Sequence, residues 1–221
     1  MGNHVSMLKN TALFQGITEE EMETLLGCLE TTHGDYEKGE YVCRAGEGMK
    51  AMGMVLSGSV NIEQNDVWGN QSLVSHVEAG EVFGEVYACV PDEVLMVDVT
   101  AAEQTRVLFL DMKKLLTVCS SACSFHNRLS QNLVQVMARK NLTLSRKISH
   151  TAPKTIRGKL MSYLSYQVVK QGGYRFEIPF NRQQLADYLE VDRSAMSAEL
   201  GKMRREGLVE CRKNLFWVKA E

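Results

Sequence analysis

The stretch NRQQLADYLEVDRSAMSAELGKMRREGLVE, residues 181–210, lays out two short helices joined by a tight turn. Asn181 is an N-cap residue, and Gln184 three positions on completes a capping box. Leu185, Ala186 and Leu189 give the first helix one apolar face, and the turn follows at Glu190-Val191-Asp192. Asp192 caps a second helix whose apolar face is Met196, Leu200 and Met203. Ala186 is small at the point where the two helices approach. That pattern is a helix-turn-helix. After Gly207, LVECRKNLFWV forms two short strands about Lys213-Asn214, a wing.

Working back from it, KTIRGKLMSYLSYQVVK reads as a further helix closed by the turn at 171–173, and Pro153 stops the helix before that. The run 122–149 has no Gly or Pro and places Phe125, Leu129, Leu133, Val136, Met137, Leu144 and Ile148 at helical spacing. A helix of that length is about 40 Å long. An apolar stripe on so long a helix calls for a partner, and the simplest is the same helix of a second subunit. The expected dimer interface is therefore Phe125, Leu129, Leu133 and Val136. The alternative is a helix packed entirely within its own chain.

Before about residue 111 the period is two. Twelve of the 17 glycines precede residue 90 and punctuate runs rich in β-formers, such as AMGMVLSGSVNIEQ and VLMVDVTAAEQTRVLFLD. Short strands between glycine turns predict an antiparallel roll or barrel. Thr18 with Glu21 forms a capping box ahead of Met22, Leu25, Leu26 and Leu29, so a helix precedes the roll. DVWGN at 66–70 reads as an exposed hairpin tip with Trp68 packed on its turn.

Charge divides the chain similarly. The net charge is −2, made of −7 over residues 1–150 and +5 over 151–221. A basic C-terminal third beside a helix-turn-helix points to double-stranded DNA. Arg193, just after the second helix's cap, is the first base-reading candidate, with Ser194 and Ser197 beside it. Arg182, Arg212 and Lys213 are placed for phosphates. No apolar run approaches the roughly 20 residues of a membrane span, so a cytoplasmic protein is expected. Gly2 with Ser6 fits a short myristoylation pattern.

Taken in order, LFQGITEEEMETLL, YEKGEYVCRAGEG, LSGSVNI, GEVFGE, the long helix and the 181–210 element resemble the Crp/Fnr transcription regulators over nearly the whole chain. The resemblance implies an α+β fold. A cyclic-nucleotide-binding-like, jelly-roll-like antiparallel β-roll (1–118) is followed by a dimerisation helix (119–150) and a winged helix-turn-helix (151–221). It also implies a homodimer reading a palindromic operator, with RNA polymerase a candidate partner. In the nucleotide-binding members the segment matching Phe83-Gly84-Glu85 holds the ligand, its Glu on a ribose hydroxyl and an Arg-Ser pair on the cyclic phosphate. Leu95 and Met96 stand at those two positions here. A phosphate against Leu and Met would lack its charge-assisted hydrogen bonds, so cyclic AMP is not expected to bind. Ser194 and Ala198 also depart from the family's usual Glu and Arg, so the operator sequence does not carry over.

What replaces the nucleotide stays open. Gly84, Glu85, Leu95, Met96, Met52 and Met54, with Val94, form the expected effector pocket, suited to an apolar small molecule. Alternatively the same side chains fill the roll, giving an effector-independent regulator. The six cysteines lack the clustering of an iron–sulfur site. His76 and Cys89 are isolated candidates for haem. Cys119 and Cys123 share a helical face, which leaves a thiol-redox-responsive regulator as an alternative to small hydrophobic packing. No cofactor, metal or catalytic constellation is expected, and the chain does not read as an enzyme.

Overall fold

The computed structural model describes residues 6–90, 92–117 and 123–219. Gly2 and Cys119 lie outside them. The chain forms two compact units, one ending at Met137 and the other beginning at Ala138.

In the first unit the helix α1 (Glu19–Cys28) precedes the strands, and its Thr18–Glu21 capping box closes as the sequence predicts. Eight strands follow: β1 (Thr32–Tyr36), β2 (Tyr41–Cys43), β3 (Ala51–Ser57), β4 (Ser59–Asn65), β5 (Gln71–Glu78), β6 (Val82–Phe83), β7 (Asp98–Ala101) and β8 (Thr105–Asp111). The short helix α2 (Glu85–Cys89) interrupts them, and α3 (Met112–Leu116) ends the series under an Asp111 cap. The strands make two antiparallel four-stranded sheets, ordered β1-β8-β3-β6 and β2-β7-β4-β5. That is the roll expected from the glycine-punctuated pattern.

Period-two alternation in β3 decides what each face packs against. Gly53 and Val55 turn to the space between the sheets, where Val55, Val60, Val77, Phe83, Val99 and Val107 pack. Gly53 is glycine because the Phe83 ring occupies the place a β-carbon would take. Met52, Met54 and Leu56 turn the other way, into a core shared with Leu8, Phe14, Met22, Leu25, Leu108, Leu110, Leu129 and Leu133.

The hairpin tip at 66–70 is exposed, but Trp68 does not pack on it. Its side chain is 83% exposed. Asp66 holds the turn instead, accepting hydrogen bonds from the backbone of Trp68 and Asn70 and from the Asn70 amide.

The long helix α4 (Ser124–Thr151) corrects the expected dimer stripe. Leu129 and Leu133 are fully buried in the first unit's own core, and Phe125 and Val136 pack against it. Within the stripe, Leu129 and Leu133 are covered by their own unit and Phe125 and Val136 in part. The apolar residues α4 leaves uncovered are Val134, Leu142, Leu144 and Ile148.

The second unit contains α5 (Ile156–Gln171), β9 (Arg175–Glu177), α6 (Arg182–Leu189), α7 (Arg193–Arg205), β10 (Val209–Arg212) and β11 (Leu215–Val218). Thr155 caps α5, and Gly172 at φ +68° ends it. The wing strands pair with β9 in a three-stranded antiparallel sheet, β10-β11-β9. Leu160, Tyr163, Leu185, Ala186, Leu189, Met196, Leu200, Met203 and Phe216 form its core. Ala186 is buried, as its small size at the helix crossing requires.

Candidate nucleic-acid interface and effector turn

The α6–turn–α7 element is fixed at three points. At its start the Asn181 side chain accepts from the Gln184 N–H, and Gln184 Oε1 accepts from the Asn181 N–H, both at 2.9 Å. In the turn, Glu190 takes a left-handed φ of +53°, and Lys159 Nζ donates to the carbonyls of Leu189 and Glu190 at 3.0 and 3.3 Å. On α7, Arg157 reaches from α5 to Glu199 (2.6 Å) and Glu206 (2.8 Å). Those hydrogen bonds hold both carboxyl groups below the ordinary glutamate range. Lys159 and Arg157 were not singled out from sequence. Their only signal is a basic residue on one helix, with its carbonyl and acidic partners 30 and more residues away.

Asp192 caps α7 through Ala195 N–H at 2.7 Å and also accepts from the Ser194 hydroxyl, which holds its carboxyl below the usual range. Ser197 donates its hydroxyl to the Arg193 carbonyl at 2.8 Å. Both serines are exposed, and both have their protons committed within the helix, so each offers oxygen lone pairs outward. Arg193 is exposed on the first turn of α7. These three therefore share one accessible end of the helix.

The expected phosphate residues divide. Arg212 and Lys213 are exposed on the wing, where Lys213 takes φ +55°. Asn214 ties that turn to β9, donating to Glu177 Oε1 at 2.6 Å while its carbonyl accepts from Ile178 N–H at 2.9 Å. Arg182 is half-buried. It donates to Cys211 Sγ at 2.9 Å and lies 5.1 Å above the Phe216 ring, so it braces α6 against the wing. Arg182, Lys213, Phe180 and Asn214 nonetheless line one cleft of about 480 Å³.

In the other unit, the segment expected to hold an effector folds into β6, a glycine and α2. Gly84 takes φ +71° as the cap of α2, and Glu85 behind it is buried. The Met49 thioether covers Gly84: a β-carbon there would overlap its sulfur. The six expected pocket residues do not meet in one cavity. Met52 and Met54 face the helix-side core, for the alternation reason above, while Leu95 is buried and Met96 is 62% exposed. Leu95 is held by backbone hydrogen bonds to Glu47 (2.9 Å) and Gly46 (2.7 Å). A cleft of about 550 Å³ does open beside this turn, lined by Met49, Lys50, Ala88, Val94, Asp111 and Lys113 among others. Sequence reading missed Met49, a lone methionine in a glycine-rich loop.

Burial pushes the Cys43 thiol up to about 11 and raises that of Cys89, which suppresses thiolate at neutral pH. His76 is exposed, its Nδ1 2.7 Å from Asn61 Oδ1. Among the described residues no group of three or more His, Cys, Asp or Glu is arranged to hold a metal ion, and no helix is long and apolar enough to cross a membrane.

Residues 34–122 match the cyclic nucleotide-binding domain family, and residues 158–219 match the Crp-like helix-turn-helix domain. The chain is 23% identical over 203 residues to the cyclic AMP receptor protein of Thermus thermophilus, covering 91% of this chain and 89% of that protein. It is 28% identical over 99 residues to human cGMP-dependent protein kinase 2, of whose length it spans 13%. Among solved structures, the Thermus thermophilus catabolite activator protein is 22% identical and superposes with a TM-score of 0.51 over 95% of this chain and 94% of that one. CprK in complex with OCPA is 19% identical, with a TM-score of 0.55 over 89% of this chain and 91% of that one.

Proposed function

The chain belongs to the Crp/Fnr family of DNA-binding transcription regulators, and from that premise we propose that it acts as a homodimer on a palindromic operator without a cyclic nucleotide as its signal. The DNA-reading part is carried by one observation: Arg193, Ser194 and Ser197 share the exposed first turns of α7, on a helix clamped by Arg157 and Lys159. Arg193 reads a base edge, by the bidentate geometry that arginine makes with guanine. The two serines accept from base amino groups. Arg212 and Lys213 meet phosphates from the wing, and Arg182 contributes to the same rim while bracing it.

Dimerisation uses the face of α4 left open, about 100° round the helix from the stripe that the sequence suggested. Two copies paired along it present two α7 helices to half-sites one helical turn apart. Independence from cyclic nucleotides is supported by Leu95 and Met96 at the phosphate-pairing positions and by Met49 over Gly84. A second reading, a small apolar effector, has the cleft beside Met49, Ala88 and Val94 in its favour. Thiol-redox input through Cys119 and Cys123 is the remaining alternative, and Cys119 lies outside the described residues.

Selection of binding sites from a random double-stranded DNA pool tests the proposal. The expected product is an inverted repeat with half-site centres about 10–10.5 base pairs apart, selected equally with and without cyclic AMP. A single unrepeated site, or enrichment only with the nucleotide, would overturn it.

A further inference from the structure

The open face of α4 carries a heptad. Val134, Met137, Asn141, Leu144, Ile148 and Thr151 follow one another at alternating spacings of three and four, the a and d positions of a coiled coil. Val134, Leu144 and Ile148 are each more than 60% exposed in the single chain, and Met137 is half-buried. The a positions Val134 and Ile148 are β-branched and the d positions Met137 and Leu144 are not, while Thr151, the last d position at the end of the helix, has its hydroxyl bonded to the Lys147 carbonyl at 2.9 Å. That distribution favours two parallel strands. Asn141 sits at the a position between them, a polar residue in the middle of an apolar seam.

We propose that Asn141 sets the register, orientation and two-fold stoichiometry of pairing between two copies of α4; this rests on the dimeric reading above. In a parallel, in-register pair the two Asn141 side chains meet at the same height, and each amide can donate to the other's carbonyl. A slip by one heptad sets Asn141 against Val134 or Ile148, and an antiparallel pair sets it among apolar neighbours. Either buries the amide without a partner. Within its own chain Asn141 only accepts, from the Ser145 hydroxyl at 3.4 Å, and its Nδ2 has no partner among the described residues.

The flanking positions carry no competing instruction. The g positions are Lys140 and Lys147, and the e positions Ala138 and Ser145 are neutral, so no ion pair across the seam distinguishes one register from another. Lys147 is already paired with Glu190 at 3.1 Å. Asn141 is thus the one residue of the seam whose chemistry separates the correct pairing from its neighbours, at a cost in stability that an aliphatic residue would not carry.

The test uses the full chain. Asn141 is exposed in the single chain, so Asn141→Ile leaves the fold intact. In sedimentation equilibrium this variant should associate about tenfold or more tightly than the parent and give species beyond the dimer. In a Leu144→Cys background, a short bis-maleimide should link the parent's introduced thiols efficiently, with the unsubstituted chain as the background for native cysteines. Adding Asn141→Ile should cut that yield by half or more, while Asn141→Gln retains most of it. A parent that is monomeric would overturn the dimeric reading itself. A dimeric parent whose Asn141→Ile variant stays strictly dimeric, with an unchanged cross-link yield, would overturn the role of Asn141 and leave the dimer standing.

Discussion

The Met49 thioether rests on Gly84, the left-handed residue that caps α2. Leu95 is buried and Met96 exposed, and neither side chain carries a charge to pair with a phosphate. Cyclic AMP and cyclic GMP at millimolar concentration should therefore leave the melting temperature unchanged. Leu95→Arg with Met96→Ser should remain unresponsive while Met49 is present. Adding Met49→Ala uncovers the turn, and nucleotide should then raise that variant's melting temperature. Saturable binding by the parent would contradict this account directly.

The two faces of α4 make opposite predictions. Leu133 is buried in its own unit's core, so Leu133→Asp places an unpaired carboxyl in that apolar cluster and should unfold the unit, at a cost of several kcal/mol. Ile148 is 67% exposed, so Ile148→Asp should leave the fold and its circular dichroism intact while shifting the chain to monomer. Sedimentation with and without DNA separates them. A folded, dimeric Ile148→Asp variant would refute the seam.

That reversal shows where the sequence is legible and where it is not. Capping boxes at Thr18 and Asn181, the Asp192 cap and the buried Leu185–Ala186–Leu189 face follow from local chemistry, and the structure contains them as read. Short strands between glycine turns also forecast an antiparallel roll or barrel, and the structure makes it a roll of two sheets. Period alone, however, does not say which side of an apolar strand or helix meets which neighbour. Met52 and Met54 have the composition of a pocket lining, yet the phase of β3 turns them to the helices. Leu129 and Leu133 have the spacing of a dimer seam, yet the first unit's own core covers them. Met49, Lys159 and Arg157 act through partners distant in sequence, which no local pattern announces.

At the DNA face, Arg193→Ala should cost about 1–3 kcal/mol on the selected site and relax preference at one base of each half-site. Lys213→Ala should instead weaken all sequences alike and lower the salt slope by about one per subunit. Binding isotherms on specific and random duplexes over a salt series measure both. Equal loss on both duplexes for Arg193→Ala would remove it from the base-reading set.

Acid should weaken the DNA-binding unit in two stages. His150 near the end of α4 is buried, with its Nδ1 2.8 Å from the Tyr188 hydroxyl and the Tyr163 and Tyr166 rings beside it. Burial, and then the nearby Arg146 charge, hold its pKa below the ordinary 6.5. Unfolding frees the imidazole to take a proton, so between the two values the unfolded chain binds more protons than the folded one. Stability is therefore full above about pH 6.5 and falls as pH drops through it. Glu199 and Glu206, held low by Arg157, behave as carboxylates do: their contribution is present above their ordinary 4.5 and is lost below it. Denaturant titrations followed by Trp217 fluorescence in a Trp68→Phe background should show both declines. His150→Gln should abolish the one that starts near pH 6.5 and keep the other, whereas Glu199→Gln should keep the first and only shrink the second, because Glu206 is still held by Arg157. An unchanged slope between pH 6.5 and 5 in the His150→Gln variant would mean that another group carries the first stage.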